Sequence, residues 1–153
     1  MRKVLVVYAS RLGATGEIAR EVMEQLTRRG LEVDLRPTTE VSDVRGYDAV
    51  VLGSAVHHNH WVKEGMHFLD HHAAALTEQP VWLFQGGPYG TNQEGQQSFT
   101  PQAVVARCAQ IGAQRPKVFT GNLDGQGRNC DEVRSWADGV ADTLMTGKLL
   151  SGA

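Results

Sequence analysis

Histidine is the most concentrated of the chemically active residue types in this chain. All six histidines lie between His57 and His72, and three of them fall in the stretch HHNHW at residues 57–61. An imidazole can ligate a metal, contact a bound ring or change its charge near neutral pH. Because HHNHW follows the apolar run AVVLGSAV, it lies where a buried strand ends. The stretch is therefore a metal site, a ligand-facing loop, or a polar loop without contact to any ligand.

The metal alternative depends mainly on two histidines further along. His67 and His71 are four residues apart and can share one side of a helix, with His60 or Asp70 as further ligands. The apolar positions of the same segment, however, place both imidazoles on the flank toward solvent. No HExxH or comparable ligand pattern occurs in the sequence. The sequence therefore predicts no metal site.

A short loop with two glycines leads from the first strand into a helix and reads SRLGATG at residues 10–16. The unpaired N–H groups and the dipole at a helix start attract an anion. Ser10 and Thr15 can add hydroxyl hydrogen bonds. The loop therefore suits a phosphate monoester. The alternative is a tight turn in which Thr15 caps the helix.

Two more loops follow buried strands and suit a flat ligand. The second loop covers residues 54–61, where His57, His58 and Trp61 offer aromatic faces for stacking. Trp61 has an alternative role as a core residue that opens the next helix. The third loop covers residues 85–92, where glycines let the backbone approach a heterocycle closely.

Together, the three loops describe one kind of ligand. Tyr89, in the third loop, is either a ligand contact or a turn residue. A phosphate loop beside two aromatic, glycine-rich loops suits a planar ring that carries a phosphorylated tail. That combination describes FMN, and it predicts an FMN site with no catalytic side chain singled out.

The elements that must position these loops alternate along the chain. Apolar or alternating runs predict strands at residues 3–8, 31–35, 48–56, 81–84 and 117–120. Helical spacing predicts helices at residues 14–29, 61–76, 101–112 and 131–145. Gly30 ends the first helix, Thr100 before Pro101 starts the third, and Asp131 caps the last.

Alternating strands and helices predict an α/β fold with a doubly wound parallel sheet. The second strand, LEVDL, is the most polar, so it belongs at an edge. The five strands then take the order 2-1-3-4-5, with helices on both faces of the sheet. In such sheets ligands bind beyond the carboxyl ends of the strands, where all three loops lie.

Composition narrows the class of protein. With 153 residues, 41% apolar and 21% charged, the chain predicts a single domain over residues 1–146 and a frayed tail over residues 147–153. A formal net charge of -2 argues against a nucleic-acid binder. No apolar run reaches the roughly 20 residues of a membrane span, and the N-terminus lacks the features of a signal peptide. Cys108 and Cys130 form no metal-ligand pair, so we expect a cytoplasmic protein with reduced thiols.

Missing motifs exclude other functions of the same fold. The dinucleotide fingerprint GxGxxG is missing after the first strand, and the phosphate-binding GxxxxGK[ST] is missing throughout. A response-regulator domain needs acidic residues where this chain has Ser10, Arg11 and Ser54. A small tyrosine phosphatase needs a cysteine in the first loop, which has none. A mononucleotide site is compatible with every one of these absences.

Four segments resemble those of a known family: VVYASRLGATGEIA, YDAVVLGSAV followed by WVKEG, PVWLFQGGPYG, and VFTGNLD. They are similar to flavodoxin-like domains, and within them to the branch that includes the menaquinone-dependent protoporphyrinogen oxidases. The resemblance covers most of the chain in the expected order. It implies a flavodoxin-like fold that binds FMN, with the phosphate in the first loop and the isoalloxazine ring between the second and third loops.

The resemblance also implies which residues bind the cofactor. Those expected around the phosphate share the first loop and the start of its helix: Ser10, Arg11, Leu12, Gly13, Ala14 and Thr15. Those expected around the ring come from the second and third loops: Ser54, Ala55, Val56, His57, His58, Trp61, Gly86, Gly87, Pro88 and Tyr89.

The chain departs from its relatives at His57, where similar sequences often have a tyrosine directly after GSAV. An imidazole is smaller than a phenol and able to carry a positive charge. A charged His57 beside the ring would favour the reduced, anionic form of the flavin and raise its reduction potential. The smaller ring could instead weaken stacking and, with it, FMN binding.

Three functions are compatible with these features. The first is an electron-transfer flavoprotein that exchanges electrons with a redox partner protein, although a net charge of -2 is weak for an acidic electron carrier. The second, implied by the resemblance, is an oxidase or reductase acting on a quinone- or porphyrinogen-like substrate. Residues 85–100 are neither basic nor apolar, which disfavours it. The third is a fold that has lost FMN and binds a partner. The sequence favours FMN-dependent redox chemistry.

Overall fold

Five parallel strands form the central sheet of the protein, as the alternating pattern predicts. A computed structural model describes residues 2–9, 14–57, 60–86, 101–119 and 130–146, without the side chains of residues 14, 57, 86 and 130. The sheet contains β1 (Lys3–Ala9), β2 (Glu32–Pro37), β3 (Ala49–Ser54), β6 (Val81–Gly86) and β7 (Lys117–Phe119). Its strand order is β2-β1-β3-β6-β7, which confirms the predicted order with the polar strand at the edge. Each strand pair is parallel.

Helices cover both faces of the sheet, and each face has its own apolar core. One face packs against α1 (Ala14–Arg28) and α5 (Cys130–Thr146). The other packs against α2 (Lys63–His71), α3 (Ala73–Leu76) and α4 (Gln102–Ile111). A single turn of 3₁₀ helix, Thr38–Glu40, follows β2. The predicted apolar stripe of the first helix is confirmed because Ile18, Val22 and Leu26 are all buried.

Two chain reversals follow the rules for helix ends. Gly30 has a φ of +92°, so it adopts the left-handed conformation that commonly ends a helix. Gly112 does the same after α4, with a φ of 75°. Pro101 was expected at the first position of the helix, but α4 begins one residue later, at Gln102, so that Pro101 directly precedes it. Thr100 lies outside the described residues.

The segment after β3 differs from the expected long strand and open loop. The strand ends at Ser54, and the chain then forms a small antiparallel hairpin of β4 (Val56–His57) and β5 (His60–Trp61). Val56 is paired with Trp61, and His57 with His60. The chain leaves the sheet at the carboxyl edge, and pairing with itself satisfies backbone groups that the sheet no longer reaches.

Two helices also differ from their expected bounds. The helix expected over residues 61–76 is divided at His72, whose φ of -105° and ψ of 13° separate α2 from α3. The backbone N–H of His72 donates to the oxygen of Phe68 at 3.0 Å, and its own oxygen accepts from Leu76 at 2.9 Å. Helix α5 begins at Cys130, so Asp131 lies in its first turn. A carboxylate at that position stabilises the helix through its interaction with the helix dipole. Asp131 was therefore wrongly expected to precede the helix.

Candidate functional site

Three strand ends meet at the carboxyl edge of the sheet. The pairing aligns Ala9 of β1 with Ser54 of β3, and Ser54 with Gln85 of β6. The N–H of Ala55 donates to the oxygen of Ala9 at 3.1 Å and extends the pairing beyond the strand. The three loops predicted to surround a ligand therefore leave the sheet from adjacent positions.

The start of α1, which follows β1, is the part of this region that can bind an anion. Helix α1 begins at Ala14, so its first backbone N–H groups have no partner within the helix. Thr15 is the second helical residue and only 2% exposed, which makes it a buried polar side chain beside those N–H groups. Thr15 lies inside the helix, so it is not the residue that precedes and caps it. Residues 10–13, which carry four expected phosphate contacts, lie outside the described residues.

Packing fixes α1 against the strand that it follows. A Cβ atom on Gly16 would lie 3.3 Å from the ring of Tyr8, tighter than ordinary contact. The helix start therefore lies close to β1, and glycine at this position keeps it there.

The base of the second loop is fully buried and closely packed. Ser54 is 0% exposed, and its hydroxyl donates to the oxygen of Ala55 at 2.9 Å. A Cβ atom on Gly65 would lie 2.9 Å from Ser54 Oγ and 3.1 Å from Trp61 Cε3. Only glycine lets α2 approach the end of β3 this closely. The Ser54 hydroxyl is thus engaged in the base of the loop, while the expectation that it contacts the cofactor stays a prediction.

One hydrogen bond joins the second loop to the third. Trp61 Nε1 donates to Gln85 Oε1 at 3.0 Å, and the two side chains are 3% and 1% exposed. The indole belongs to the core on the α2 side of the sheet, which is the alternative that the sequence left open for Trp61. The N–H of Val62 donates to the oxygen of Ala55 at 3.2 Å and closes the base of the hairpin. The described ends of the two loops, at Trp61 and Gln85, are therefore joined directly.

Gln85 is the site residue that sequence reasoning missed. It directly follows the apolar run VWLF, and a polar side chain after such a run and before a glycine-rich loop was the available signal. The backbone of Gly86 ends β6 beside it. Gly87, Pro88 and Tyr89 lie outside the described residues, as does His58. The backbone of His57 lies in β4.

His67, His71 and His72 lie apart from this edge, on α2 and directly after it. His67 and His71 are exposed on α2, with their ring centroids 5.6 Å apart and nearly parallel. Across the ranges that the structure describes, no group of three or more histidine, cysteine or acidic side chains could hold a metal ion. No helix in those ranges is long and apolar enough to cross a membrane.

An open parallel sheet in this order, with the ends of β1, β3 and β6 aligned at one edge, is typical of the flavodoxin-like class of α/β proteins. The flavodoxin domain family matches residues 5–130, and the chain belongs to that family. It is 26% identical over 155 residues to a flavodoxin of Maridesulfovibrio salexigens, a match that covers 94% of this chain and 100% of the relative.

The chain is also similar to one further relative and to one solved structure. Over 80 residues the chain is 28% identical to protoporphyrinogen IX dehydrogenase (quinone) of Escherichia coli K12. That match covers 51% of this chain and 44% of the dehydrogenase, less than half of its length. Among solved structures, rubredoxin oxygen:oxidoreductase of Desulfovibrio gigas superposes with a TM-score of 0.75 at 17% identity. The superposition covers 95% of this chain and 37% of the oxidoreductase.

Flavodoxin-family domains bind FMN, and FMN is the cofactor of this chain. The described residues fit it, because a buried threonine hydroxyl and the unpaired N–H groups of α1 suit a phosphate. The adjoining ends of β3 and β6 leave their loops side by side, as a flat ring requires. The chain therefore has an FMN-based redox role.

Proposed function

We propose that this protein is a flavoprotein that passes electrons or hydride between a donor and an acceptor through FMN at the carboxyl edge of the sheet. The observation that carries the proposal is the alignment of Ala9, Ser54 and Gln85 beside the start of α1, which brings three loops to one edge. FMN supplies the redox chemistry when bound, and the chain supplies binding, orientation and electrostatics. Residues 1–146 form the proposed FMN-binding domain.

The proposed phosphate site consists of the first loop and the start of α1. Ser10, Arg11, Leu12 and Gly13 would surround the phosphate, with Ala14 and Thr15 beneath it. The buried position of Thr15 in the first turn of α1 supports this assignment, because it places a hydroxyl beside the N–H groups that would bind the phosphate. The N–H groups of the helix start add donors with a favourable dipole.

The proposed ring site lies between the second and third loops. Ala55, Val56, His57 and His58 would lie on one side of the ring. Gly86, Gly87, Pro88 and Tyr89 would lie on the other. The bond between Trp61 and Gln85 supports this arrangement because it fixes the separation of the two loops from below. Ser54 and Trp61 would act by holding the ring-facing backbone in place.

FMN binding is tested by titrating the cofactor-free protein with FMN and, separately, with riboflavin, which lacks the phosphate. We expect flavin absorbance to be retained on desalting and FMN to bind more tightly than riboflavin. A Thr15→Val variant should bind FMN about tenfold more weakly, which corresponds to roughly 1.4 kcal/mol for a lost charged hydrogen bond. Riboflavin binding should be unchanged in that variant.

The outcomes separate the three functions. No retention of FMN at micromolar concentration would leave only the binding-module function. Equal loss of FMN and riboflavin in Thr15→Val would remove Thr15 from the phosphate site. Reduction of a partner protein by the loaded chain supports the electron carrier.

A second candidate function is an oxidase for a porphyrinogen-like substrate with a quinone-like acceptor. The similarity over 80 residues to protoporphyrinogen IX dehydrogenase (quinone) favours it. Oxidation of protoporphyrinogen IX by the FMN-loaded protein with a soluble quinone would support it. A rate equal to that of free FMN would exclude it. We also propose the cytoplasmic location and reduced thiols that the sequence predicts.

The role of His57 is tested by His57→Tyr, which restores the residue common in relatives. If imidazole charge favours the reduced cofactor, the exchange lowers the midpoint potential. If imidazole only weakens stacking, the exchange tightens FMN binding and leaves the potential in place. An unchanged potential together with unchanged affinity would contradict both roles.

A further inference from the structure

An open corner lies at the outer edge of the sheet, where the last two strands pair over only part of their length. Strand β7 pairs with Phe84, Gln85 and Gly86 of β6. The first half of β6, residues 81–83, has no strand on that side among the residues that the structure describes. The corner lies toward the amino ends of the strands, whereas the proposed FMN site lies at their carboxyl ends.

Two cavities lie in this corner, and both are lined by Trp82 and Gln114. The larger has a volume of about 450 Å³, within the range of small-molecule sites. The smaller has a volume of about 180 Å³. Its lining residues are Trp82, Leu83, Gln114, Arg115, Lys117 and Trp136. Because the cavities adjoin at Trp82, one ligand can extend from the larger cavity into the smaller.

Two indole rings belong to the walls of the smaller cavity. Trp82 and Trp136 are both half-buried, so each keeps surface that a ligand can contact. The ring of Trp136 packs edge-on against Phe84 and Phe119, with centroid distances of 5.9 and 5.8 Å. An indole that is already held in place loses little side-chain entropy when a ligand binds. The walls therefore favour a flat aromatic group.

The charged side chains that line the smaller cavity are both cations. Arg115 is exposed, and the side chain of Lys117 is 37% exposed. Glu132 Oε2 lies 3.3 Å from Lys117 Nζ, so this carboxylate offsets one of the two charges. No acidic side chain in the described part of the chain lines the smaller cavity itself. The cavity therefore favours an anion, and a guanidinium can bind a carboxylate through two parallel hydrogen bonds.

The larger cavity has the opposite charge and determines the direction of a bound ligand. Glu78 lines it, and so do Ile111 and Gly112 at the carboxyl end of α4. A carboxylate side chain and the negative end of a helix dipole both disfavour an anion there. An anionic group is therefore favoured only at the end of the corner that contains Arg115.

We propose that this corner is a binding site for a flat aromatic carboxylate. The carboxylate binds to Arg115 in the smaller cavity, and the ring lies against Trp82 and Trp136. The amide of Gln114, which lines both cavities, can donate a hydrogen bond to the carboxylate. The inference does not rest on FMN binding, because none of these residues belongs to the proposed cofactor site.

The test titrates the FMN-loaded protein with 2-naphthoate, so that the cofactor site is already filled, and follows the indole N–H signals by ¹H–¹⁵N NMR. The chain has three tryptophans, so the readout contains its own control. We expect saturable shifts at Trp82 and Trp136 and none at Trp61, which lies at the carboxyl edge. The same pattern in cofactor-free protein distinguishes failure of this site from failure of the proposed function.

Two compounds of similar shape separate the contributions of charge and ring. 2-Naphthamide keeps the ring but has no charge, and it should bind about tenfold more weakly than 2-naphthoate. Decahydro-2-naphthoate keeps the charge but has no aromatic ring, and it should bind about fivefold more weakly.

One exposed arginine tests the anion site, and another is the matched control. Arg115→Gln removes a cation and should weaken binding of 2-naphthoate about tenfold, while binding of 2-naphthamide changes about twofold at most. Arg45→Gln makes the same change at an exposed arginine that lines neither cavity, and it should leave both affinities unchanged. Both side chains are exposed, so both variants should fold.

The proposal is overturned by any of several results. These are 2-naphthamide binding as tightly as 2-naphthoate, an Arg115→Gln protein that binds 2-naphthoate as the parent does, equal weakening in the two arginine variants, and shifts confined to Trp61. Absence of saturable binding up to the solubility limit of 2-naphthoate would also overturn it.

Discussion

The hairpin at residues 56–61 and the helical stretch at residues 67–72 both contain histidines, yet they differ in how their side chains are held. The base of the hairpin is closed by the bond between Trp61 and Gln85, and both side chains are buried. The helical stretch has His67 and His71 in solvent and one buried imidazole, His72, beside a groove. Histidines therefore occur both in a hairpin whose base is hydrogen-bonded and in a helix with solvent-exposed and buried imidazoles.

The difference lies in what surrounds each region. The hairpin base is a junction of β3, β6 and α2, where the polar side chains Trp61 and Gln85 bond to each other inside the core. The groove lies between α2 and the segment after β2, and the buried imidazole that lines it packs against the rings of Phe68 and His71. The hairpin base is therefore held by a buried hydrogen bond, whereas the buried imidazole beside the groove is held by ring packing.

The largest expected effect tests the rigidity of the hairpin base. Trp61→Ala removes a side chain that is 3% exposed and should cost about 3–5 kcal/mol of unfolding free energy. Trp61→Phe keeps most of the packing but removes the donor to Gln85, and should cost about 1–3 kcal/mol. Urea denaturation measures both values. Equal costs for the two variants would show that packing contributes nothing beyond the hydrogen bond.

The next prediction concerns the close approach of α2 to β3. Gly65→Ala places a Cβ atom 2.9 Å from Ser54 Oγ and should destabilise the fold by about 1–3 kcal/mol. Gly139→Ala is the matched control because a Cβ atom there meets nothing within 4 Å. In the middle of α5 that control should stabilise by about 0.5–1 kcal/mol. A Gly65→Ala protein as stable as the parent would mean that α2 can shift away from β3 at little cost.

The third prediction concerns how the free energy of unfolding depends on pH through His72, in the helical stretch. The pKa of His72 is lowered in the folded state, so the unfolded chain binds the proton more readily. Stability is therefore full above pH 6.5, the usual pKa, and falls as the pH drops through the lower value of the folded state. His72→Gln should reduce the loss of unfolding free energy between pH 7.5 and pH 5.0. The matched exchange at exposed His60, which is not among the groups that shift the pKa of His72, should leave the loss in place. The reverse pattern would contradict the assignment.

The smallest expected effect lies on the outer side of α2. Asp70 accepts two hydrogen bonds from Arg107 of α4, at 2.7 and 3.1 Å, and this contact lowers the pKa of its carboxyl. Both side chains are partly exposed, at 54% and 28%. Asp70→Asn should therefore cost only about 0–1 kcal/mol in urea denaturation. A cost above that range would make this ion pair as important as the hairpin base.

Repeating patterns along the chain predict the fold well. The apolar runs and the single polar strand give five strands in the observed order, and the spacing of Ile18, Val22 and Leu26 gives the buried stripe of α1. Periodicity reports which face of an element is apolar, so it predicts layers and their order. It predicts the position of the ligand edge for the same reason, because that edge follows from topology.

The details of the site depend on contacts between residues far apart in the sequence, so periodicity could not predict them. The bond from Trp61 to Gln85 spans 24 residues, and no local pattern announces it. The break at His72 interrupts a spacing that favours one continuous helix, so periodicity does not predict it. The hairpin from Val56 to Trp61 reflects pairing outside the main sheet, where apolar alternation gives no signal.

The hydrogen bond between Trp61 and Gln85 also gives the chain an optical reporter. Trp61 is buried with its indole N–H engaged, whereas Trp82 and Trp136 are both partly exposed. Gln85 stands directly before Gly86, so a displacement of the third loop changes the surroundings of this one buried indole. Tryptophan emission, read without any label or substitution, can therefore follow events at the carboxyl edge of the sheet in real time.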